Sequence, residues 1–156
     1  MFDKILFLDM DGVICVDFSS EEFVEHISKE KIKLLNNIVQ QTNCYIVITS
    51  QNRITYNTIE FQKMFSQRGF LYLDRIIDTT PEPYLIDKDK NIWSKREDEI
   101  QRWLDNHRCS DDVKAVCILD DEGFQKTQFE SRAIKTDFYE GLNEQQVKCV
   151  VELLNE

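Results

Sequence analysis

Two pairs of aspartates follow apolar runs in this chain, and that placement points to chemistry. Asp9 and Asp11 come directly after the run ILFL, and Asp120 and Asp121 come directly after the run VKAVCIL. Two carboxylates about 4 Å apart repel each other by roughly 4 kcal/mol at an effective dielectric constant near 20, so such acids either take up protons or bind a cation. Carboxylate oxygens without histidine or thiolate suit Mg²⁺, which leaves positions for water and a phosphate oxygen. The pattern therefore predicts a magnesium site that presents a phosphate.

The spacing of the aspartates is not informative by itself. The same Asp-x-Asp spacing occurs at Asp87 and Asp89, in a polar segment where solubility explains it. Aspartate after a strand also forms turns, so either acidic pair alone is equally well explained as structural. A third apolar run, CYIVI, ends in Thr49 and Ser50. Two acidic pairs and a hydroxyl pair at one edge of a sheet are harder to attribute to turns.

Strands and helices that alternate along the chain would bring these residues together. From continuous apolar character we predict strands over residues 4–8, 44–49, 71–77, 113–119 and 133–136. From helical spacing and capping residues we predict helices over 19–38, beginning at a Ser19 cap with Glu22, and over 54–67, 95–107 and 143–154. This alternation favours an open parallel α/β sheet with flanking helices. Ligands of such sheets bind beyond the carboxyl ends of the strands, where the acids are expected.

Length and charge limit the class of protein. With 156 residues, 42% of them hydrophobic, and only two prolines and four glycines, the chain is predicted to form one domain over residues 1–156. The formal net charge of −10 disfavours loose binding to nucleic acid, whose affinity for proteins comes largely from positive charge. A local basic groove remains compatible with that balance.

The cysteines and the first residues indicate the compartment. Five cysteines are scattered without a C-x-x-C pair, which is typical of reduced thiols rather than of a disulfide framework or a zinc site. The start MFDKILFLDMD is not typical of a signal peptide, and no apolar stretch is long enough to span a membrane. A cytoplasmic protein is the expectation.

The order of the motifs resembles that of the haloacid dehalogenase (HAD) superfamily of phosphatases. A strand ending in DMDG, a strand ending in Thr49 and Ser50, a basic residue that opens a helix, and a strand ending in LDD follow one another as in that family. The segments ITSQNR, DTTP, KREDEIQRWL, ILDDEGF and KTDFYEGLNEQQ resemble more closely the compact HAD-type domain of Swiss-army-knife RNA repair proteins. Those domains usually carry a tryptophan where this chain has Asn52.

The resemblance implies roles for individual residues. Asp9 would be the nucleophile that forms an aspartyl-phosphate, and Asp11 would be the general acid and base. The resemblance implies Mg²⁺ held by the carboxylates of Asp9 and Asp120 and the main-chain carbonyl of Asp11, with Asp121 close by. The implied Rossmannoid sheet would carry a Mg²⁺-dependent phosphatase.

The remaining implied contacts concern the phosphoryl group and the substrate. Thr49 would donate its hydroxyl to the phosphoryl group, with Ser50 as its neighbour. A basic residue at the start of a helix would neutralise the phosphoryl oxygens, and Arg96 fits the R-x-x-E-I spacing better than Lys95, which stays an alternative. Gly12 would let the backbone turn away from the strand. Arg53, soon after the second strand, is a candidate contact to a substrate phosphate.

The predicted elements leave little room for a cap domain. Only a short flap fits between Gly12 and the helix after Ser19, and residues 49–96 are used by a helix, a strand and their loops. We therefore expect an open site that admits a nucleic acid end, a nucleotide or a phosphoprotein. A small phosphate ester also fits if association of chains covers the site.

Several further residues have simpler structural explanations, and two other functions are compatible with parts of the pattern. We expect a packing role for His107 and solvent exposure for residues 97–99. Trp93 and Trp103 are expected to be core or edge residues, with Trp93 also a candidate for stacking on bases. A receiver-type phosphoaccepting domain also combines acids with Mg²⁺, but that fold has its phosphorylated aspartate in the middle of the chain. A catalytically inactive HAD-fold binding protein is the third alternative, although every motif position holds a competent residue.

Overall fold

The computed structural model describes residues 2–107, 115–124 and 127–156. The strands of these residues are β1 (Ile5–Leu8), β2 (Tyr45–Ile48), β3 (Ile76–Thr79), β4 (Leu85–Asp87), β5 (Ile92–Trp93), β6 (Val116–Asp120) and β7 (Ala133–Lys135). The helices are α1 (Phe23–His26), α2 (Lys29–Thr42), α3 (Thr58–Gln67), α4 (Arg96–Asn106), α5 (Thr127–Glu130) and α6 (Glu144–Leu154). Short 3₁₀ turns lie at Gln51–Ile54 and Leu73–Arg75.

Five of the strands form one parallel sheet in the order β3-β2-β1-β6-β7. The central strands are buried on both faces, as their continuous apolar sequences predict. Helices α2, α3 and α6 cover one face, and α4 covers the other with Trp103 against Phe7. The predicted α/β class, a single small domain with a parallel sheet and flanking helices, is confirmed.

The register of the sheet aligns the ends of its central strands. Leu8 at the end of β1 pairs with Ile48 of β2 and with Leu119 of β6. The backbone N–H of Asp9 donates to the Leu119 carbonyl at 3.0 Å, and the N–H of Thr49 donates to the Leu8 carbonyl at 2.8 Å. The residues that follow the three strands therefore begin at the same level and the same edge.

The helix predicted from residue 19 is divided in two, and its predicted cap is wrong. Ile27 is fully buried, and the N–H of Ser28 donates to the Ile14 carbonyl at 2.8 Å, so the chain is extended there. Ser28 is the residue that caps α2, because its hydroxyl accepts a hydrogen bond from the N–H of Lys31 at 3.3 Å. Burial of Ile27 against the loop after β1 outweighs the local capping signal at Ser19.

Other boundaries shift by a few residues. The third strand begins at Ile76 rather than at residue 71, after a 3₁₀ turn. β6 extends to Asp120, because the Asp120 carbonyl accepts a hydrogen bond from the Thr136 N–H at 2.9 Å; residues 113 and 114 of the predicted strand lie outside the described residues. The cap of α6 is confirmed, since Asn143 and Gln146 exchange side-chain and backbone hydrogen bonds.

A two-stranded antiparallel hairpin, β4 and β5, lies between β3 and α4, in the segment where a cap domain would have to be inserted. The chain reverses at Asn91, whose φ of 53° is in the left-handed region that asparagine tolerates. Trp93 on this hairpin is 50% exposed, whereas Trp103 is 2% exposed and packs in the core. The hairpin was not predicted, because its strands are only three and two residues long.

None of the helices in the described ranges combines the length and the apolar character that crossing a bilayer requires. Among the cysteines that the structure describes, Cys15, Cys44, Cys117 and Cys149 are free thiols, and the first three are buried. Cys109 lies outside the described residues.

Candidate functional site

Three carboxylates from two neighbouring strand ends converge at the edge of the sheet. Asp9 follows β1, and Asp120 and Asp121 end and follow β6. One oxygen atom from each lies within 4.8 Å of the others, and Asp9 and Asp120 are 4% and 1% exposed. The parallel pairing of β1 with β6 produces this convergence across more than a hundred residues of sequence.

Burial of these acids makes their charged forms costly. Burial raises the pKa of Asp9 to about 8, helped by the charge of Asp120 and opposed by the charge of Arg96. Burial likewise raises the pKa of Asp120, against the opposing effect of Arg96. A divalent cation among the three carboxylates would remove this repulsion, and an oxygen-only donor set is what Mg²⁺ prefers. The residues present therefore fit the ion that the sequence predicts.

Arg96 supplies positive charge from the first residue of α4. Its Nη1 atom lies 2.6 Å from Asp120 Oδ2 and 3.3 Å from Asp9 Oδ2. Burial alone would lower the pKa of Arg96, but the two carboxylates outweigh burial and raise it. Lys95, the alternative basic residue, is exposed just before the helix, and its N–H donates to Asp98 Oδ2 at 2.8 Å. The structure thus brings Arg96, and not Lys95, into contact with the carboxylates.

Asp11 stands apart from the three clustered carboxylates. It is half-buried, and burial raises its pKa, while a hydrogen bond from the Asn52 side chain and the charge of His26 act in the opposite direction. Its assignment as a metal ligand concerns its main-chain carbonyl and stays a prediction. A half-buried carboxyl group with a raised pKa is suited to carrying a proton.

Asn52 connects Asp11 to the second strand end. The Asn52 amide hydrogen-bonds Asp11 and donates from Nδ2 to Ser50 Oγ at 2.9 Å. Ser50 Oγ also accepts the backbone N–H of Asn52 at 3.2 Å, which caps the 3₁₀ turn Gln51–Ile54. The sequence did not reveal this role of Asn52. The available signal was a serine followed two residues later by asparagine, a common local hydrogen-bonding pair.

Thr49 carries a buried hydroxyl just after the end of β2. The residue is completely buried, and its Oγ1 atom has no hydrogen-bond partner among the described residues. A buried polar atom without a partner is unfavourable, so such an atom is normally satisfied by a ligand or by an ordered water. Thr80 Oγ1, just after β3, is in the same condition. Thr49 directly follows β2, which pairs with β1, the strand that ends before Asp9.

Gly12 is required by close packing behind the carboxylates. Its φ of 80° lies in the left-handed region, and a Cβ atom added there would come within 2.9 Å of Asp121 Cβ and of Phe138 Cδ2. The Gly12 carbonyl accepts the Thr136 hydroxyl at 2.6 Å. The predicted turn at Gly12 is thus present, and the residue also lets Phe138 approach Asp121.

Arg53 is turned into the protein rather than toward the carboxylates. Its side chain is 1% exposed, and its Nη2 atom lies 2.6 Å from Glu99 Oε1. Nη1 donates to the carbonyls of Thr49 and Ser50, both at 3.0 Å, and Nη2 donates to the Pro81 carbonyl at 3.0 Å. The side chain therefore holds strand ends together, which is a different task from the substrate contact expected of it.

Glu99 extends this network to the hairpin. Its second oxygen, Oε2, accepts the Ser94 hydroxyl at 2.6 Å, at the end of β5. Glu97 and Glu99 are 8% and 3% exposed, so the expectation of solvent exposure for residues 97–99 is wrong for both. Glu97 and Glu99 lie two positions apart on α4, so they flank its buried apolar face on opposite sides instead of sharing one polar side.

A cavity of about 310 Å³ opens beside Arg96 and Asp120. Its other walls include Ser94 and Lys95 from the end of the hairpin, and Phe124 from the loop after β6. His107 lies far from this set: its ring stacks on Trp103 at 3.8 Å, which confirms its predicted packing role. The cavity therefore admits a substrate group to the basic side of the carboxylates.

Comparison with known proteins agrees with this geometry. The family model of the HAD domain in Swiss Army Knife RNA repair proteins matches residues 5–147. No curated protein and no solved structure matches the chain. The matched residues include both acidic strand ends, Thr49 and Arg96, and on the extent of that match the chain belongs to the family of HAD domains found in Swiss Army Knife RNA repair proteins.

Proposed function

We propose that this chain is a Mg²⁺-dependent phosphomonoesterase that works through an aspartyl-phosphate on Asp9. Membership in a HAD family supports phosphatase-type hydrolysis. The observation that carries the proposal is the convergence of three carboxylates, two of them buried, with Arg96 in contact with Asp9 and Asp120. A structural role does not explain why two neighbouring strands bury acids together, since burying each charged carboxylate carries a desolvation penalty.

The carboxylates of Asp9, Asp120 and Asp121 would hold Mg²⁺, with the main-chain carbonyl of Asp11 as a further ligand. Bound there, the ion would neutralise the acids and polarise the phosphoryl oxygens. Three acids and a phosphate dianion need this positive charge in addition to that of Arg96. Asp9 would then be ionised, as a nucleophile must be.

The reaction divides hydrolysis into two displacements at phosphorus. One carboxylate oxygen of Asp9 attacks phosphorus as the bond to the leaving oxygen breaks, and Asp11 donates its proton to that oxygen. Asp11, now a carboxylate, takes a proton from a water molecule whose oxygen attacks the aspartyl-phosphate. Inorganic phosphate leaves, and Asp9 and protonated Asp11 are restored.

Two groups would stabilise the transferring phosphoryl group. The buried Thr49 hydroxyl donates one hydrogen bond, which also satisfies an atom that has no partner among the described residues. The guanidinium of Arg96 carries five N–H donors, so it can contact phosphoryl oxygens while Nη1 remains near Asp120. Ser50 would support Thr49 through the turn that it caps, and Lys95 lines the cavity where a more distant substrate phosphate would lie.

The substrate we propose is a phosphorylated nucleic acid end or a nucleotide. The family is described by its occurrence in RNA repair proteins, and the small β4–β5 hairpin leaves the site open to a bulky group. Reduced thiols at the described cysteines are compatible with the cytoplasmic location expected from the sequence.

A substrate panel tests this function. The purified chain is offered 5′- and 3′-phosphorylated oligonucleotides, nucleotides and sugar phosphates, with Mg²⁺ or with EDTA. We expect phosphate release that requires Mg²⁺ and that is lost in Asp9→Asn. Asp89→Asn is the matched control, because it removes an exposed carboxylate with the same Asp-x-Asp spacing. Undiminished turnover in Asp9→Asn would refute the role of Asp9, and a well-folded sample without activity on the panel would refute the proposed function.

A further inference from the structure

Three exposed aromatic residues form a surface that the proposed chemistry does not yet use. Phe18 lies in the flap after β1, and Phe138 and Tyr139 lie in the loop after β7; we call them the aromatic platform. They are 40%, 41% and 83% exposed, respectively. The rings of Phe18 and Phe138 are nearly parallel, with centroids 5.8 Å apart and an interplanar angle of 15°, and Tyr139 meets Phe138 edge to face at 5.3 Å.

The aromatic platform adjoins the carboxylates. Phe138 packs so closely on Gly12 that an added Cβ would lie 2.9 Å from its Cδ2 atom, and the same Cβ would meet Asp121. On the other side, His26 packs edge to face on Phe18 with centroids 5.4 Å apart, and the charge of His26 acts on Asp11. The platform therefore borders Asp11, the group that delivers a proton to the leaving oxygen. A leaving group held near Asp11 lies against these rings.

The charges around the aromatic platform are acidic. The segments 9–28 and 136–141 contain no lysine or arginine, and Asp17, Asp137 and Glu140 adjoin the three aromatic residues in sequence. These acidic groups repel a second phosphate at short range, and the nearby Lys31 ammonium already donates to the Leu142 carbonyl at 2.7 Å. A flat ring without negative charge is the group that this surface suits.

We propose that the aromatic platform stacks the base of the nucleotide that carries the scissile phosphate. This inference rests on the proposed phosphatase function and specifies the leaving-group side of the same site. Bases stack on aromatic side chains irrespective of their sequence, since every base has a π face. Half-exposed parallel rings next to the proton donor supply such a face, whereas a sugar phosphate without a base gains nothing from them.

The test compares substrates that differ only in the base. The values of kcat and KM are measured with Mg²⁺ for AMP and for ribose 5-phosphate, in the native chain, in Phe18→Ala and in Phe18→Tyr. We expect Phe18→Ala to raise KM for AMP about 5- to 150-fold, the effect of losing one stacked base, and to leave ribose 5-phosphate turnover unchanged. Phe18→Tyr, which keeps the ring, should restore the AMP value. Leu71→Ala is the control, because Leu71 is a 74% exposed apolar side chain outside this surface.

Two results of this comparison would overturn the stacking role. The first is an equal kcat/KM for AMP and ribose 5-phosphate in the native chain. The second is an equal decrease of kcat/KM for both substrates in Phe18→Ala. A strong preference for a phosphotyrosine peptide over AMP would also contradict it, because the rings would then serve a protein substrate.

A binding measurement separates this inference from the phosphatase proposal. AMP is titrated calorimetrically into Asp9→Asn with Mg²⁺, and the same titration is repeated in Asp9→Asn combined with Phe18→Ala. If Phe18→Ala weakens AMP binding, the result supports the aromatic platform even when no substrate is turned over. If Phe18→Ala leaves AMP binding unchanged, the stacking role of the aromatic platform is contradicted. Phosphatase activity, measured separately, can still be present in that case.

Discussion

Asp9 combines two opposing requirements at the scale of a single residue. The nucleophilic role proposed for Asp9 requires an ionised carboxylate, but its side chain is 4% exposed and lies beside two other acids. In the proposed function, a cation bound among the three carboxylates would offset this cost. A buried, crowded carboxylate such as that of Asp9 reduces the stability of the cation-free protein, and removing its charge should raise that stability.

The first prediction concerns the stability of metal-free Asp9→Asn. The folded-state pKa of Asp9, about 8, exceeds its ordinary value of 3.8, so the folded chain binds this proton more tightly than the unfolded chain. The contribution of Asp9 to stability is therefore most favourable below pH 4 and is lost as the pH rises toward 8. In EDTA at pH 8, Asp9→Asn should unfold a few degrees above the native chain, and the difference should shrink toward pH 4. Thermal scans across this range check the trend, and a lower melting temperature for Asp9→Asn at pH 8 would contradict it.

The second prediction concerns Asn52, which we expect to position Asp11. Its hydrogen bond holds the pKa of Asp11 below the value that burial alone would give. Asn52→Ala should lower kcat by about 10-fold, which is less than the roughly 10²- to 10⁴-fold that a general acid contributes in full, and should shift the limb of the pH–rate profile that reports Asp11 to higher pH. Asn37→Ala, at an exposed asparagine of α2, provides the comparison. A lower rate with an unchanged pH profile would indicate a structural role alone.

At the scale of the elements, Arg53 and Glu99 join four separate segments. Arg53 donates hydrogen bonds to the carbonyls after β2 and to the Pro81 carbonyl after β3. Glu99 on α4 accepts a hydrogen bond from the Ser94 hydroxyl at the end of the hairpin. Both side chains are almost completely buried. The network holds the end of β2, and with it Thr49, in place against α4, which begins with Arg96.

The third prediction is that Arg53 acts on stability rather than on substrate binding. Arg53→Ala leaves the Glu99 carboxylate buried without its partner, so the free energy of unfolding should fall by about 3–5 kcal/mol. Lys95→Ala, at an exposed position, should cost less than about 0.5 kcal/mol. Urea denaturation measures both. A stable Arg53→Ala variant with a raised KM would instead support the substrate contact that the sequence suggested.

The sequence predicted elements better than side-chain directions. Apolar runs revealed the parallel strands and predicted that Asp9 and Asp120 lie at the same edge of the sheet, whereas the pairing of β1 with β6 that brings them together was seen only in the structure. The inward direction of the Arg53 side chain was not foreseeable, because nothing local shows whether a long side chain reaches outward or folds back onto carbonyls. The Ser19 cap failed for a related reason, since burial of Ile27 depends on contacts with the distant loop after β1. Long-range packing decides both cases.

At the scale of the whole molecule, the sheet edge is flanked by two small structures. The aromatic flap residue Phe18 lies on the side of Asp11, and the β4–β5 hairpin lies on the side of Lys95 and the cavity. Neither is large enough to enclose a substrate in the manner of a cap domain. The net charge of −10 is consistent with recognition of a strand end or a single nucleotide rather than of a long nucleic acid tract.

The central claim is that Asp9 forms a covalent bond to phosphorus, and oxygen exchange measures this without knowledge of the substrate. The chain is incubated with ¹⁸O-labelled inorganic phosphate and Mg²⁺, and the label in phosphate is followed by mass spectrometry. Reversible formation of the aspartyl-phosphate expels one phosphate oxygen as water, so the native chain and Asp89→Asn should lose label stepwise, whereas Asp9→Asn and samples in EDTA should retain it. Exchange that continues undiminished in Asp9→Asn, or a native chain that hydrolyses phosphate esters without any exchange, would contradict the account.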